Sequence, residues 1–175
     1  MARTFTSDLS VSGIEKLKKQ IKQYQEKDLQ YKVHLFVKKV ADLGVDVAKV
    51  NVARLGAVFT GELKDSIHTK DGGILGNKAV FYVVADSKHA VFVEFGTGQL
   101  GQEAPYPYPM PEGIEWKYNV GATIMEISDG QYGWFYPKDG KWYFTQGMPS
   151  RPFMYETAIE LEDNLVKIAK EVFRK

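Results

Sequence analysis

No cysteine occurs among the 175 residues, which excludes disulfides and thiolate metal sites and fits a reducing compartment or a particle assembled in one. No apolar run of about 18 residues is present and the N-terminus lacks an apolar signal segment, so neither membrane insertion nor secretion is expected. The three histidines, His34, His68 and His89, fall on three different predicted elements without a convincing partner at helical spacing, and no metal site is expected. A G-x-S-x-G elbow, a P-loop lysine and a reactive thiol are all missing, which leaves no activated nucleophile; no enzyme activity and no cofactor are expected. Glu94 is a lone acid without a catalytic partner and reads as a hydrogen-bonded structural group. An excess of one charge is also lacking, with a net charge of +1, so wholesale nucleic-acid binding is not implied.

What is present is an ordinary globular composition, 44% hydrophobic and 26% charged, in a length that suits one domain over residues 1–175 with an inserted loop and hairpin at about 99–147. The charge is uneven, because residues 1–40 carry 9 basic against 4 acidic side chains and the remainder is acidic. Ser12-Gly13-Ile14-Glu15 has the form of a capping box and predicts the start of a first helix. Val11, Ile14, Leu17, Ile21 and Tyr24 form its apolar stripe, while Lys16, Lys18, Lys19 and Lys22 occupy the other sides. A second stripe runs from Leu29 to Leu55, crossed by Gly44, where a kink is expected, and ended by Gly56. Thr60 to Ile67 predicts a short helical turn.

Two β-type stretches, Ala79–Ala85 and Ala90–Phe95, follow a turn at Asp71-Gly72-Gly73 and predict an antiparallel pair joined at 86–89. Residues 96–113 are rich in glycine and proline and predict an extended surface loop. Ala122–Ile127 reads as a strand. Tyr132–Tyr136 and Lys141–Thr145 flank Pro137-Lys138-Asp139-Gly140, a hairpin signal with an Asp-Gly turn. The hairpin carries seven aromatic residues on both faces, so one face is expected to meet either the core or another molecule. Pro152 opens a C-terminal amphipathic helix through Met154, Ala158, Leu161, Leu165, Ile168 and Val172.

Gly96, Gly98 and Gly101 form a G-x-G-x-x-G. That fingerprint binds a pyrophosphate only where a strand precedes the glycines and a helix opens on them. Here a strand is expected before but only a proline-rich loop after, so nucleotide binding is not expected.

Three stretches, in order, resemble the phage morphogenesis proteins typified by the gene-ten product of a lambdoid siphophage, a tail-completion or head-tail joining family. Thr60, Gly61, Leu63, Ser66 and Ile67 match its Thr-Gly-x-Leu-x-x-Ser-Ile segment. Glu94, Phe95, Gly96 and Thr97 are similar to its Glu-Phe-Gly-Thr, and Pro149, Arg151, Pro152 and Phe153 to its approach to the last helix. The chain departs from the pattern at Ala57-Val58-Phe59 and in the long segment between Gly98 and Met148. The resemblance implies an α+β fold, with an antiparallel sheet packed against a long helix and a C-terminal helix; the periodicity adds the N-terminal amphipathic helix and the inserted aromatic hairpin. It implies a homo-oligomeric ring, hexameric as in that family, in the virion neck between head portal and tail tube. Its partners there are neighbouring neck, adaptor and tail-tube proteins, and DNA passes through, after assembly in the host cytoplasm. Whether the ring is a completion, stopper or terminator ring stays open. Tyr106, Tyr108, Trp134, Tyr136 and Trp142 are the expected partner contacts. The alternative is a small DNA-binding module using the basic first helix.

Overall fold

The computed structural model describes residues 4–58, 60–76, 78–118, 125–126 and 130–174. The first stripe forms α1 (Val11–Gln23), and a π-helical stretch, Tyr24–Leu29, links it to α2 (Gln30–Arg54). The cap is Ser10 rather than Ser12: its Oγ accepts from the Gly13 amide at 3.0 Å, and Asp8 accepts from the Ser10 amide and hydroxyl. The Asp8 side chain organises the turn two residues earlier than the capping box suggests, and its hydrogen bonds from Ser10 hold its carboxyl below the ordinary carboxylate range. α2 continues through Gly44 as one helix, so the irregularity lies in the π-helical stretch. Gly56 follows the helix end with φ +67°.

Next come α3 (Glu62–Ser66), β1 (Ile67–Leu75), β2 (Lys78–Ala85), α4 (Ala90–Phe95) and α5 (Gly98–Glu103). Then follow β3 (Met125–Glu126), β4 (Tyr132–Lys138), β5 (Lys141–Thr145), β6 (Gly147–Met148) and α6 (Phe153–Phe173). The fold is α+β, with two small antiparallel sheets, ordered β1-β2 and β3-β4-β5.

Two compact units divide the chain. The first comprises Met1–Val47, His68–Val84 and Ala158–Lys175. Its core includes Ala41, Ile168 and Val172, and the Phe36 and Phe173 rings lie 5.9 Å apart. A Cβ built on Gly44 would stand 2.8 Å from Val83 and 3.0 Å from Leu161, so the helix, the strand and the C-terminal helix meet at a point that lacks a side chain. Asp71 Oδ1 accepts from the Gly73 amide at 2.7 Å, so the turn chemistry expected there is satisfied locally while β1 continues to Leu75. No residue of α1 is buried.

The second unit comprises Ala48–Ile67 and Ala85–Thr157. Ala48, Val52, Leu63, Ile67, Val93, Phe95, Tyr106 and Phe153 are buried in it. Two expectations fail here. Ala90–Phe95 is a helix rather than the partner of Ala79–Ala85, which pairs with β1 instead. The Ser87 carbonyl accepts from the Ala90 amide and its Oγ from the His89 amide, which starts a helical turn where a hairpin turn was expected. Residues 96–113 are not all extended: the prolines begin at 105, which leaves Gly98–Glu103 free to form α5, supported by Gln99 donating to Glu103 at 2.9 Å. The 132–145 hairpin is as expected, with φ +51° at Asp139 and +72° at Gly140, the signs a two-residue hairpin turn requires. Of Ala122–Ile127, Met125 and Glu126 form β3; the rest of that expectation lies outside the described residues.

Filling the gap at Gly44 tests the first unit. Gly44→Val should lower the stability measured by chemical denaturation by about 1–3 kcal/mol through overpacking. An unchanged midpoint would mean that Val83 and Leu161 move aside freely.

Candidate functional site

The segment Val93-Glu94-Phe95-Gly96-Thr97-Gly98 is buried throughout, where the sequence predicts a strand end leaving the body. α4 turns Val93, Glu94 and Phe95 inward, and the Phe92 carbonyl accepts from the Gly96 amide to close the helix. Residues 147–153 then run along it. Thr97 bridges Met148 and Gly98 bridges Gly147 in antiparallel fashion. The Arg151 amide donates to the Val93 carbonyl at 2.8 Å, and the Ser150 hydroxyl donates to the Glu94 carbonyl at 2.6 Å. A Cβ on Gly96, whose φ is +81°, would lie 2.7 Å from the Ser150 nitrogen, and one on Gly98, at φ +63°, would strike the Gln146 carbonyl. Glycine is required at both positions by backbone conformation and by backbone approach.

Glu94 is 8% exposed, and its carboxylate accepts from the Met154 amide at 2.9 Å and the Tyr155 amide at 3.1 Å. These are first-turn donors of α6 without an intrahelical partner, so Glu94 caps the helix from a remote position and its charge faces the positive helix end. Burial pushes its carboxyl above the ordinary value of 4.5, against the opposing pull of those two amides. Burial, and then the Glu94 charge, raise the Tyr106 hydroxyl to about 12. The Tyr106 ring lies 4.9 Å from Phe95 and 6.1 Å from Tyr155, which in turn stacks on Tyr108 at 4.0 Å. An open, mainly apolar cleft of about 400 Å³ lies over this cluster, lined by Ala90, Val91, Glu94, Phe95, Tyr106 and Met154 among others.

The sequence motifs thus gather in one unit. In the Thr60–Ile67 motif, Leu63 and Ile67 are buried one turn apart, Gly61 takes φ +86° at the helix start, and Ser66 donates to the Leu63 carbonyl and accepts from the Ser87 amide. Thr60 Oγ1 accepts from the Glu62 amide. Pro149 and Pro152 flank Ser150 and Arg151, whose amides are both used, and Phe153 is fully buried, worth roughly 1.5–3 kcal/mol.

Of the expected contact residues, Tyr106 is buried inside its own unit and Tyr108 is half-buried on Tyr155. Trp134 and Tyr136 are half-buried, and Trp142 is 70% exposed. The glycine fingerprint does not have its phosphate-binding context. A helix replaces the preceding strand, and the amides of Gly96, Gly98 and Leu100 donate to the carbonyls of Phe92, Tyr118 and Gln146.

Sequence reasoning missed Asn51. It is fully buried, donates to Thr157 at 3.2 Å, and accepts from Arg54, which also pairs with Glu156. Its signal was available: an amide four residues from Val47 and from Leu55, on the apolar face of a helix. Trp116, whose indole donates to the Gly96 carbonyl at 2.9 Å, carried no such signal.

Glu94→Ala leaves two part-buried amides without their acceptor and should cost about 1–2 kcal/mol in urea denaturation, whereas Glu94→Gln should cost less. Because the folded carboxyl value is raised, the stability that this group contributes is fully present below 4.5 and is lost as pH rises through the folded value. The stability of the wild type relative to Glu94→Gln should therefore fall as pH increases across that window; a flat difference would contradict the burial of the charge.

Residues 15–96 match one family model, HK97-gp10_like, described as "Bacteriophage HK97-gp10, putative tail-component". The match takes in the motifs at 60–67 and 94–96 and stops before the hairpin and the 149–153 segment. No curated protein and no solved structure matches the chain. Over residues 15–96, the chain carries the sequence pattern of a bacteriophage tail-component family, consistent with the morphogenesis family that its motifs resemble.

Proposed function

We propose that this protein is a structural component of a tailed-phage virion, forming a homo-oligomeric ring in the neck that joins the DNA-filled head to the tail. The tail-component match supports the structural class, and one feature of the fold carries the contact role. Directly opposed residues of a hairpin share a face, so the pairs Pro137–Trp142 and Phe135–Phe144 lie on one side. All four side chains are exposed. Contiguous exposed apolar surface of this kind marks a site that is covered by another protein. Its burial between subunits supplies free energy at roughly 25 cal/mol per Å², and no bond needs to be made or broken.

A ring subunit needs such surfaces toward its neighbours and toward the adjoining neck and tail-tube proteins. DNA passes through the ring without sequence-specific contact. The basic α1, none of whose residues is buried, favours a second reading, a DNA-binding module, which requires tight binding that weakens steeply with salt.

Deleting residues 130–145 from the chain during infection should leave a folded body, seen by circular dichroism, and full heads beside unattached tails in electron micrographs. Trp142→Ala should give a milder form of the same defect. Finished virions from the deletion would overturn the neck assignment.

A further inference from the structure

The hairpin tip and the Glu94 cleft belong to the same compact unit, yet no hairpin residue lines the cleft. We infer that the cleft of one copy receives Trp142 from the hairpin of the next copy. This inference rests on the ring reading above and names its contact.

Three observations fit the occupant to the cleft. The cleft holds about 400 Å³, the room of roughly a dozen water molecules at ~30 Å³ each, so an indole enters it and leaves part of it open. Its walls are mainly apolar, with Ala90, Val91 and Phe95 beside the rings of Tyr106 and Tyr155; these suit the edge and face of a second aromatic system. Its polar group is an acceptor. An ionised carboxylate has about four lone-pair sites, and the amides of Met154 and Tyr155 each take one from Glu94. On the exposed hairpin face Trp142 offers one donor and no acceptor, its indole N–H. A donor brought into the cleft meets a carboxylate whose charge burial disfavours, and exclusion of water strengthens that contact.

Because knob and socket lie at different places on the unit, the contact can repeat head to tail from copy to copy and close into a ring when its rotation permits; reciprocal insertion in a two-fold pair would stop at the dimer and give no ladder of cross-linked species. The exposed Trp142 is then an interface anchor of the type that dominates binding energy.

The absence of native cysteine gives a clean test with the full chain. Lys141→Cys and Val91→Cys variants are treated with a short bis-maleimide, each alone and mixed. The mixture should give a cross-linked dimer that neither variant gives alone, and a chain carrying both cysteines should give a ladder of higher species. Trp142→Ala should abolish the ladder and weaken self-association, read by sedimentation, by roughly thirtyfold or more. Cross-linking of Lys141→Cys to itself in equal yield, or a wild-type chain that stays monomeric at high concentration, would overturn the inference. The two readings fail separately. If Trp142→Ala keeps full self-association while particles still need the chain, the contact is wrong and the neck reading stands. If the ladder forms but heads join tails without the chain, the neck reading is wrong and the contact stands.

Discussion

A carboxylate buried beneath the first turn of α6 is the constraint on which the second unit depends. Glu94 accepts from the Met154 and Tyr155 amides across some 60 residues of chain. To put the carboxylate there, the chain must fold α4 inward, pass through Gly96 with its left-handed backbone, and bring residues 147–151 close enough to bond with Val93 and Glu94. The glycines, the prolines flanking Ser150-Arg151 and the buried Phe153 are therefore one arrangement seen at several positions. A charge held in this way is costly, and the two charge-assisted hydrogen bonds and the helix end offset only part of that cost, which leaves the carboxyl raised.

Local chemistry was legible in the sequence, and distant chemistry was not. Asp139-Gly140 announces its hairpin because the required backbone angles are properties of those two residues. The Leu29–Leu55 stripe, the turn at Glu62–Ser66 and the helix after Pro152 are readable for the same reason. Ala90–Phe95 has the composition of a strand, and its neighbours in sequence do not forbid one. It becomes a helix because Ser87 starts the turn and because residues 150–155, far along the chain, take up its carbonyls and the Glu94 carboxylate. Likewise, the glycines after Phe95 look like a surface turn until the segment of residues 146–150 is laid against them.

The candidate site was half visible. The sequence names the motif positions only as a family pattern, and the fold gives several of them a structural role: Gly96 for its conformation, Leu63 and Ile67 for burial, Glu94 for capping. Tyr106 and Tyr108 were expected at the surface; Tyr106 is buried and Tyr108 is half-buried on Tyr155, because an aromatic in a proline-rich segment gives no sign of which side it turns to. The division of labour that results is physical. Hydrogen bonds between distant segments fix the body, while the rings of Phe135, Trp142 and Phe144 face solvent, where the proposed subunit contact would form.

Native-state hydrogen exchange at the Met154 and Tyr155 amides tests the central claim most directly. If Glu94 holds both, they should be among the slowest-exchanging amides of the second unit, opening only with its unfolding. Exchange at the rate of a frayed, uncapped first turn would show that the clamp does not hold and that the order of this unit has another origin.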